Sequence, residues 1–454
     1  MSPASDEKFC IIGAGSSGLA AAKNFLAAGI PFDCLEREDD LGGNWNFGKP
    51  HSSVYASTHL ISSKPLTEYT DFPMPEDWPQ YPSHEQALEY FRSYARHFGL
   101  YEHIEFKTAV QRCEPLPLDP SGPLRLAGRA GEGGNAVRAG GWLVRLATGA
   151  TRRYRGVVIA NGHNWDPRWP EYAGEFTGEA IHSCQYKTAD VLRGKRVLVV
   201  GGGNSGCDIA VEAAVHAKRA LLSMRRAYPI LPKFFRGRPI DQCGEFAFWL
   251  RLPLWARRVT GALISHLVLG PAWRTGVPRP DHRLFESHPI INSQIHHHVG
   301  HGNLELRPDI ARLDGQRVRF VDGRDDEVDL IIYATGYRVT IPFLDAQLLH
   351  WHDGAPRLYL NVFHPQRDDV FAIGLIQPAS GQWGLVDYQA QLVARYIRGI
   401  DAGAPGASWL QRLKRTAQPD LGNGVNYVPS PRHALEVEYF SYRRRLKKLM
   451  AKLR

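Results

Sequence analysis

The chain has 454 residues, 43% of them hydrophobic and 11% aromatic. It is too long for one ordinary core and too apolar for a disordered polymer, so two domains are expected, or three. The formal net charge of +9 rests on basic residues scattered along the chain, apart from the terminal run SYRRRLKKLMAKLR; a nucleic-acid partner is not expected, and that run reads either as a solvated helix end or as a contact with an anionic membrane surface.

By Phe9 the chain has entered a strand, with no charged leader and cleavage site before it, so no signal peptide is expected. Six cysteines, none spaced as C-x-x-C, argue against a disulfide framework or a zinc site and fit the reduced thiols of a cytoplasmic protein.

Phe9 to Ile12 reads as a strand, Leu19 to Ala28 as a helix stopped by Gly29, and Phe32 to Leu35 as the next strand. Between the first two, Gly13, Gly15 and Gly18 give G-x-G-x-x-G, with Ser17 in the loop. The first glycine makes the tight turn, the second admits a pyrophosphate and the third lets helix and strand pack closely. Glu36 ends the second strand, where a carboxylate accepts from ribose hydroxyls and disfavours a 2′-phosphate. That suits FAD or NAD. Gly43, Asn44 and Trp45 of LGGNW follow at once and are expected to approach the same dinucleotide.

His84 to Phe98 carries an apolar face at Ala87, Leu88, Phe91, Tyr94, Ala95 and Phe98, and reads as an amphipathic helix. The Pro/Gly-rich run PLPLDPSGPLRLAGRAGEGGNAVRAGG reads as a long hairpin loop or mobile insert. YRGVVIANGH reads as a strand returning to a dinucleotide domain.

The second glycine loop repeats the design: strand Val197 to Val200, then Gly201, Gly203, Asn204, Ser205 and Gly206, helix Cys207 to Ala217, strand Ala220 to Ser223. Here the strand leads to Arg225, and a guanidinium suits a ribose 2′-phosphate. NADPH is therefore expected, with the Ser223 hydroxyl as a further contact and Arg226 as a neighbour.

Residues 227–300, rich in Trp, Phe, Leu and Arg, interrupt this domain. They are expected to form a lid, a substrate tunnel or a homodimer surface. Arg251, Pro253, Arg257 and Arg258 break their most apolar stretch, so no membrane span is expected. His288 and the consecutive His296, His297 and His298 suggest a metal, but adjacent histidines on one segment point in different directions, and no metal site is expected. VDLIIYATGY, with Thr335 and Gly336, marks the exit, and VFAIGLIQPASGQWG reads as strand, loop and helix.

The fold class is α/β, with two Rossmann-like dinucleotide-binding domains, the NADPH domain inserted into the FAD domain. Expected boundaries are 1–165 (FAD), 166–328 (NADPH, insert at about 227–300) and 329–454 (second FAD part with C-terminal helices). Two dinucleotide sites of opposite charge preference imply hydride transfer from a nicotinamide to a flavin. Without a redox cysteine pair a dithiol reductase drops out, leaving oxygen chemistry or electron transfer to a partner.

The segment FTGEAIHSCQYK, with Phe176, Gly178, His182 and Tyr186, resembles the identifying pattern F-x-G-x-x-x-H-x-x-x-[YF] of the flavin-containing monooxygenases. GAGSSG, LGGNW, DFPMP, ANGH, GGGNSGCDIA, ATGY and GLIQP extend the resemblance over most of the chain. The related Baeyer–Villiger pattern ends in Trp followed by Pro or Asp, where this chain has Tyr186-Lys187.

The resemblance implies oxygenation of a small nucleophilic amine or sulfide by O2 through a C4a-hydroperoxyflavin. It also implies a linker histidine at His182 that shapes the cleft, and Gln377 beside the isoalloxazine. Read from the residues alone, His182 is equally a hydrogen-bonded core histidine. One departure stands out. In YASTHLISSKPLTEY, Ile61 occupies the position of an asparagine that the family places beside the flavin. His59, Ser62 or backbone is then expected to supply the lost donor. Otherwise the flavin adduct is less stable, and the departure then favours Baeyer–Villiger oxidation of ketones or a leaky oxidase activity; a flavoprotein reductase or electron-transfer protein is a separate alternative.

Overall fold

The structure is a computed structural model and describes residues 7–117 and 140–453. Its frame is two five-stranded sheets, each parallel throughout. The first runs in the order Val370–Ala372, Gly156–Ile159, Phe9–Ile12, Phe32–Leu35, Ile104–Glu105. Its inner strands FCII and GVVI are buried at every position, as a sheet covered on both faces requires. Helix Ser16–Ala27 packs on it with Leu19 and the small Ala20, Ala21 and Ala22 fully buried. It starts earlier than expected because Gly15 itself is the N-cap, which brings the helix terminus to the loop. Helix Trp383–Asp401 covers it, and helix His84–His97 is opened by a Ser83–Gln86 capping box.

The second sheet runs Glu179–His182, Leu330–Tyr333, Arg196–Val200, Arg219–Ser223, Glu305–Arg307. This corrects the expected boundary at 328/329. The apolar strand Leu330–Tyr333 is fully buried between Glu179–His182 and Arg196–Val200, so it belongs to the second unit. The chain crosses back just after it. The outgoing Asp166–Pro167 and the returning Tyr337–Arg338 pair antiparallel, so both crossings form one two-stranded ribbon.

Strands Val110–Pro115, Trp142–Leu146 and Thr151–Tyr154 form a small antiparallel sheet. The first two flank the Pro/Gly-rich run, whose residues 118–139 lie outside the described residues. In the insert, helices Ile240–Trp249 and Leu254–Leu269 pack back toward the first unit. Asp241 latches them there: its Oδ2 accepts from Ser63 N at 2.7 Å, Ser63 Oγ at 3.0 Å and Ser380 Oγ at 3.4 Å. No described helix is long and apolar enough to cross a membrane.

Candidate active site

One cleft of about 1180 Å³ runs between the two units and is lined by both glycine loops. It exceeds the volume of a pocket for a single drug-sized ligand, roughly 300–1,000 Å³. The loops are built alike. Gly13 (φ +102°) and Gly201 (φ +121°) turn so tightly that a Cβ would lie 2.8 Å from Ala160 O and 2.4 Å from Ala334 O. Gly18 and Gly206 do not line the cleft. A Cβ on them would meet Gly13 O at 1.7 Å and Gly201 O at 1.8 Å, so they allow helix and strand to pack. Neither helix has a side-chain N-cap, which leaves N–H groups for an anion. These cradles fit a dinucleotide at each loop.

In the first cradle Glu36 is buried at the cleft wall, with Oε2 accepting from Ala14 N at 2.6 Å and Oε1 from Glu38 N at 3.0 Å. Each oxygen keeps a lone pair for a ribose. Gly15 and Gly43 face one another, a Cβ on Gly43 standing 3.0 Å from Gly15 Cα. Asn44 Oδ1 accepts from Ser53 N and Ser53 Oγ, both at 2.7 Å, and so clips its loop. Trp45 packs edge-on against Trp383, and the Ser17 hydroxyl lies against Gly374.

The second cradle differs at the strand end. Gly13 N bonds to Leu35 O, and Gly201 N to Ser223 O. The residue corresponding to Glu36 is therefore Met224, which is buried, and Arg225 stands one residue on. Arg225 is exposed at the cleft, whereas Arg226 pairs with Asp281 at 3.0 Å. Burial, then Arg338 and Arg225, push the Arg168 guanidinium below its usual range. Arg168, Arg225 and Arg338 make no ion pair with a described residue, so three cations share a place that lacks an anion. Across the cleft, the Arg432 guanidinium lies over the Tyr228 ring at 4.7 Å and 3.6 Å from where a Gly203 Cβ would be. Asn204 ties this loop to the insert, donating to Pro289 O at 3.1 Å and accepting from Ile291 N at 2.9 Å. Ser223 spends its proton on Pro308 O at 2.7 Å, and Thr335 on Arg168 O at 2.5 Å. Ser205 and Gly336 also line the wall.

Ile61, His59 and Ser62 all line the same cleft. Thr67 Oγ1 donates to Ser63 O at 2.8 Å, so Ser62 is the donor in its 2.8 Å bond to Thr67. As arranged, Ser62 offers the cleft an acceptor and no proton. The exposed His59 is tied through Nδ1 to Ser57 O at 2.8 Å. Gln377 donates to Glu436 Oε1 at 3.0 Å.

The segment from Phe176 to Tyr186 belongs to the second unit and leads into Lys187, which reaches the first. His182 is fully buried between Trp169 and Tyr337, and its Nδ1 accepts from Cys184 N at 3.3 Å. Desolvation pushes its pKa down to about 4, so it is a neutral packing histidine here. Gly178 admits both Phe176 and Asp329 O, which a Cβ would meet at 2.5 and 2.9 Å. The buried Tyr186 hydroxyl bonds to Glu212. Lys187 then reaches across to Ser52 O at 2.7 Å and Val54 O at 3.2 Å in the first unit.

Arg168, Arg432, Tyr228, Asp208 and His288 also line the cleft, and none of them is among the coenzyme or catalytic residues expected from sequence. Arg168 alone had a local signal, since it follows the ANGH turn at the crossing.

The family model for flavin-binding monooxygenase-like proteins matches residues 6–122 and 137–452. Flavin-containing monooxygenase 1 of Sus scrofa is 31% identical over 96% of this chain and 81% of its own. Flavin-containing monooxygenase 5 of Oryctolagus cuniculus is 30% identical over 95% and 80%. Among solved structures, S-allyl-L-cysteine S-oxygenase from Allium sativum superposes with a TM-score of 0.64 at 19% identity, over 98% of this chain and 88% of that one. A steroid monooxygenase bound to NADP gives 0.68 at 19%, over 98% of each. The chain belongs to the flavin-binding monooxygenase-like family and is a flavoprotein monooxygenase.

Proposed function

We propose that this protein uses FAD and NADPH to place one atom of O2 on a soft nucleophile, an amine or a sulfide. The observation that carries the reading is the pair of glycine cradles facing one cleft, with a carboxylate at one strand end and free guanidinium groups at the other. Bound FAD supplies the oxygen-activating chemistry and NADPH the hydride. The chain's own part is to hold and shelter. Glu36 takes the ribose at the first loop, and helix Ser16–Ala27 turns its N-terminus to the pyrophosphate. Arg225 and Arg168 take the 2′-phosphate at the second. The insert, latched by Asp241 to the Ser63 loop, closes the wall that carries Ile61 and keeps water out.

The test is product analysis with isotopically labelled O2 over an amine, a sulfide and a ketone. Label in an N-oxide or sulfoxide supports the reading. Label only in an ester makes the protein a Baeyer–Villiger enzyme, and NADPH consumption with no labelled product makes it a reductase. Ile61 puts hydrocarbon where relatives in the family pattern carry an amide. NADPH consumption is therefore expected to leak hydrogen peroxide, and Ile61→Asn to reduce that leak, measured as peroxide per NADPH.

Membrane contact is part of the same proposal, and it rests on more than the basic tail. Helix Leu254–Leu269 is inverted. Arg257 and Arg258 turn inward to Glu438 (3.0 Å) and Glu286 (2.8 Å), while Trp255, Val259, Leu263 and Leu267 face solvent.

A further inference from the structure

Ile61 carries no donor, Ser62 has spent its own and His59 is exposed to solvent, so a sheltered proton source has to be sought among the other titratable groups of the cleft wall. On the wall formed by the end of the insert and the C-terminal segment, His288 lines the cleft, and its Nδ1 lies 3.1 Å from Glu436 Oε1. Glu436 is almost fully enclosed, its side chain 1% exposed. Its Oε1 accepts from both Gln377 and His288, while its Oε2 has no partner among the described residues. A carboxylate buried this deeply needs a compensating cation or proton.

The surrounding charged groups do not supply one. Arg257 is engaged by Glu438 and Arg258 by Glu286. His433 bonds through Nδ1 to Val428 O, and Tyr427 stacks on it. Arg432 points to the Gly203 loop. Among the described residues His288 is the one basic side chain within hydrogen-bond distance of Glu436. With Nδ1–H donating to the carboxylate, Nε2 makes no hydrogen bond with a described residue and is the ring atom left for the cleft.

We propose that His288 is the proton donor of the oxygenation site, held and polarised by Glu436 as its positioning residue. The proposal rests on the monooxygenase reading, whose balance is substrate + O2 + NADPH + H⁺ → oxygenated substrate + NADP⁺ + H2O. His288 supplies that proton from its doubly protonated form: the N–H bond at Nε2 breaks, leaving the neutral ring with its proton on Nδ1, and an O–H bond forms on the oxygen atom that leaves as water. Solvent then reprotonates the imidazole at the open end of the cleft. Gln377, sharing Glu436 Oε1 with His288, ties this pair to the wall where the flavin ring is expected.

Two variants separate a proton role from a packing role. His288→Asn keeps a donor near the Nδ1 position, and with it the bond to Glu436, but has nothing at Nε2. Labelled product per NADPH is expected to fall by about tenfold or more, and its dependence on pH to flatten. Glu436→Gln keeps an acceptor but removes the charge and gives a smaller loss in the same direction. Nitrogen-15 magnetic resonance of the coenzyme-free protein gives a readout independent of turnover. The His288 signal, assigned by its loss in His288→Asn, should show the proton on Nδ1. Wild-type coupling and pH dependence in His288→Asn overturn the proposal alone, as does a neutral ring protonated at Nε2 with Nδ1 bare. Absence of labelled product from the wild type overturns the monooxygenase reading and the proton role with it, while the ring signal still decides the His288–Glu436 bond.

Discussion

At the scale of single residues the two coenzyme cations have separable duties. On the proposed reading Arg225 takes the 2′-phosphate that only NADPH carries, whereas Arg432, which approaches the Gly203 loop, would meet the pyrophosphate that NADPH and NADH share. A charge-assisted hydrogen bond contributes about 1.5–3 kcal/mol, roughly 10–100-fold in affinity. Arg225→Ala should therefore weaken NADPH by about that factor and leave NADH unchanged, while Arg432→Ala weakens both equally. Coenzyme titrations of the FAD-loaded protein measure this, and an Arg225→Ala protein that still prefers NADPH refutes the assignment. Asp208, at the cleft wall, bears on stability. Desolvation, offset in part by Lys233 and by a 2.7 Å bond from Asn292, pushes its pKa up to about 6. The folded protein then binds more protons than the unfolded chain between about pH 4 and pH 6, so this residue's contribution falls as pH rises through that window. In the coenzyme-free protein Asp208→Asn should raise stability at neutral pH by about 1–2 kcal/mol and flatten the pH 4–6 slope of the melting temperature.

At the scale of elements, the glycine loops were legible in the sequence because their constraint is local. A tight turn, a close approach and a helix N-terminus occupy six consecutive residues, and the strand end that sets the charge preference follows within one βαβ unit. The strand Leu330–Tyr333 was legible as a strand at the exit from the second unit, but the expected boundary at 328/329 fell on the wrong side of it, since an apolar run does not say which neighbours bury it. The His288–Glu436 and Arg432–Gly203 approaches join positions far apart in sequence and left no spacing to read. The spent proton of Ser62 depends on a hydrogen-bond direction that Thr67 sets. The loops also give a prediction of independence. A Cβ on Gly18 or Gly206 would overlap a carbonyl of its own loop, and such overpacking costs about 1–3 kcal/mol or more. Gly206→Ala should abolish coenzyme affinity while the protein stays yellow with FAD. Gly18→Ala should yield colourless protein. Absorbance of the flavin and coenzyme titration read the two effects separately, and loss of both by Gly206→Ala would show that the cradles do not act independently.

For the whole molecule, the inverted helix raises the question of what covers it. Trp249 is 74% exposed and Trp255 69%, with Phe246, Val259, Leu263 and Leu267 beside them on the paired helices of the insert. The patch is continuous with a basic flank, because Phe248 stacks on Phe440 of helix Tyr439–Lys452, which carries Arg443, Arg444, Lys447 and Lys448. A second copy of this chain meeting the patch about a twofold axis would set these cations against their own kind. An anionic lipid surface instead accepts both halves, tryptophan rings at the headgroup level and roughly 1 kcal/mol for each basic residue near the surface. The protein should therefore co-sediment with vesicles containing phosphatidylserine, more weakly with neutral phosphatidylcholine vesicles, and less at high salt. Replacing Trp249 and Trp255 together by Gln should reduce binding to anionic vesicles by about tenfold or more while flavin content is retained. Binding that salt abolishes but the double replacement leaves intact would assign the contact to the basic helix alone. If wild-type protein ignores vesicles and dimerises with rising concentration, and the double replacement prevents dimerisation, the patch is an interface between copies and the membrane contact falls.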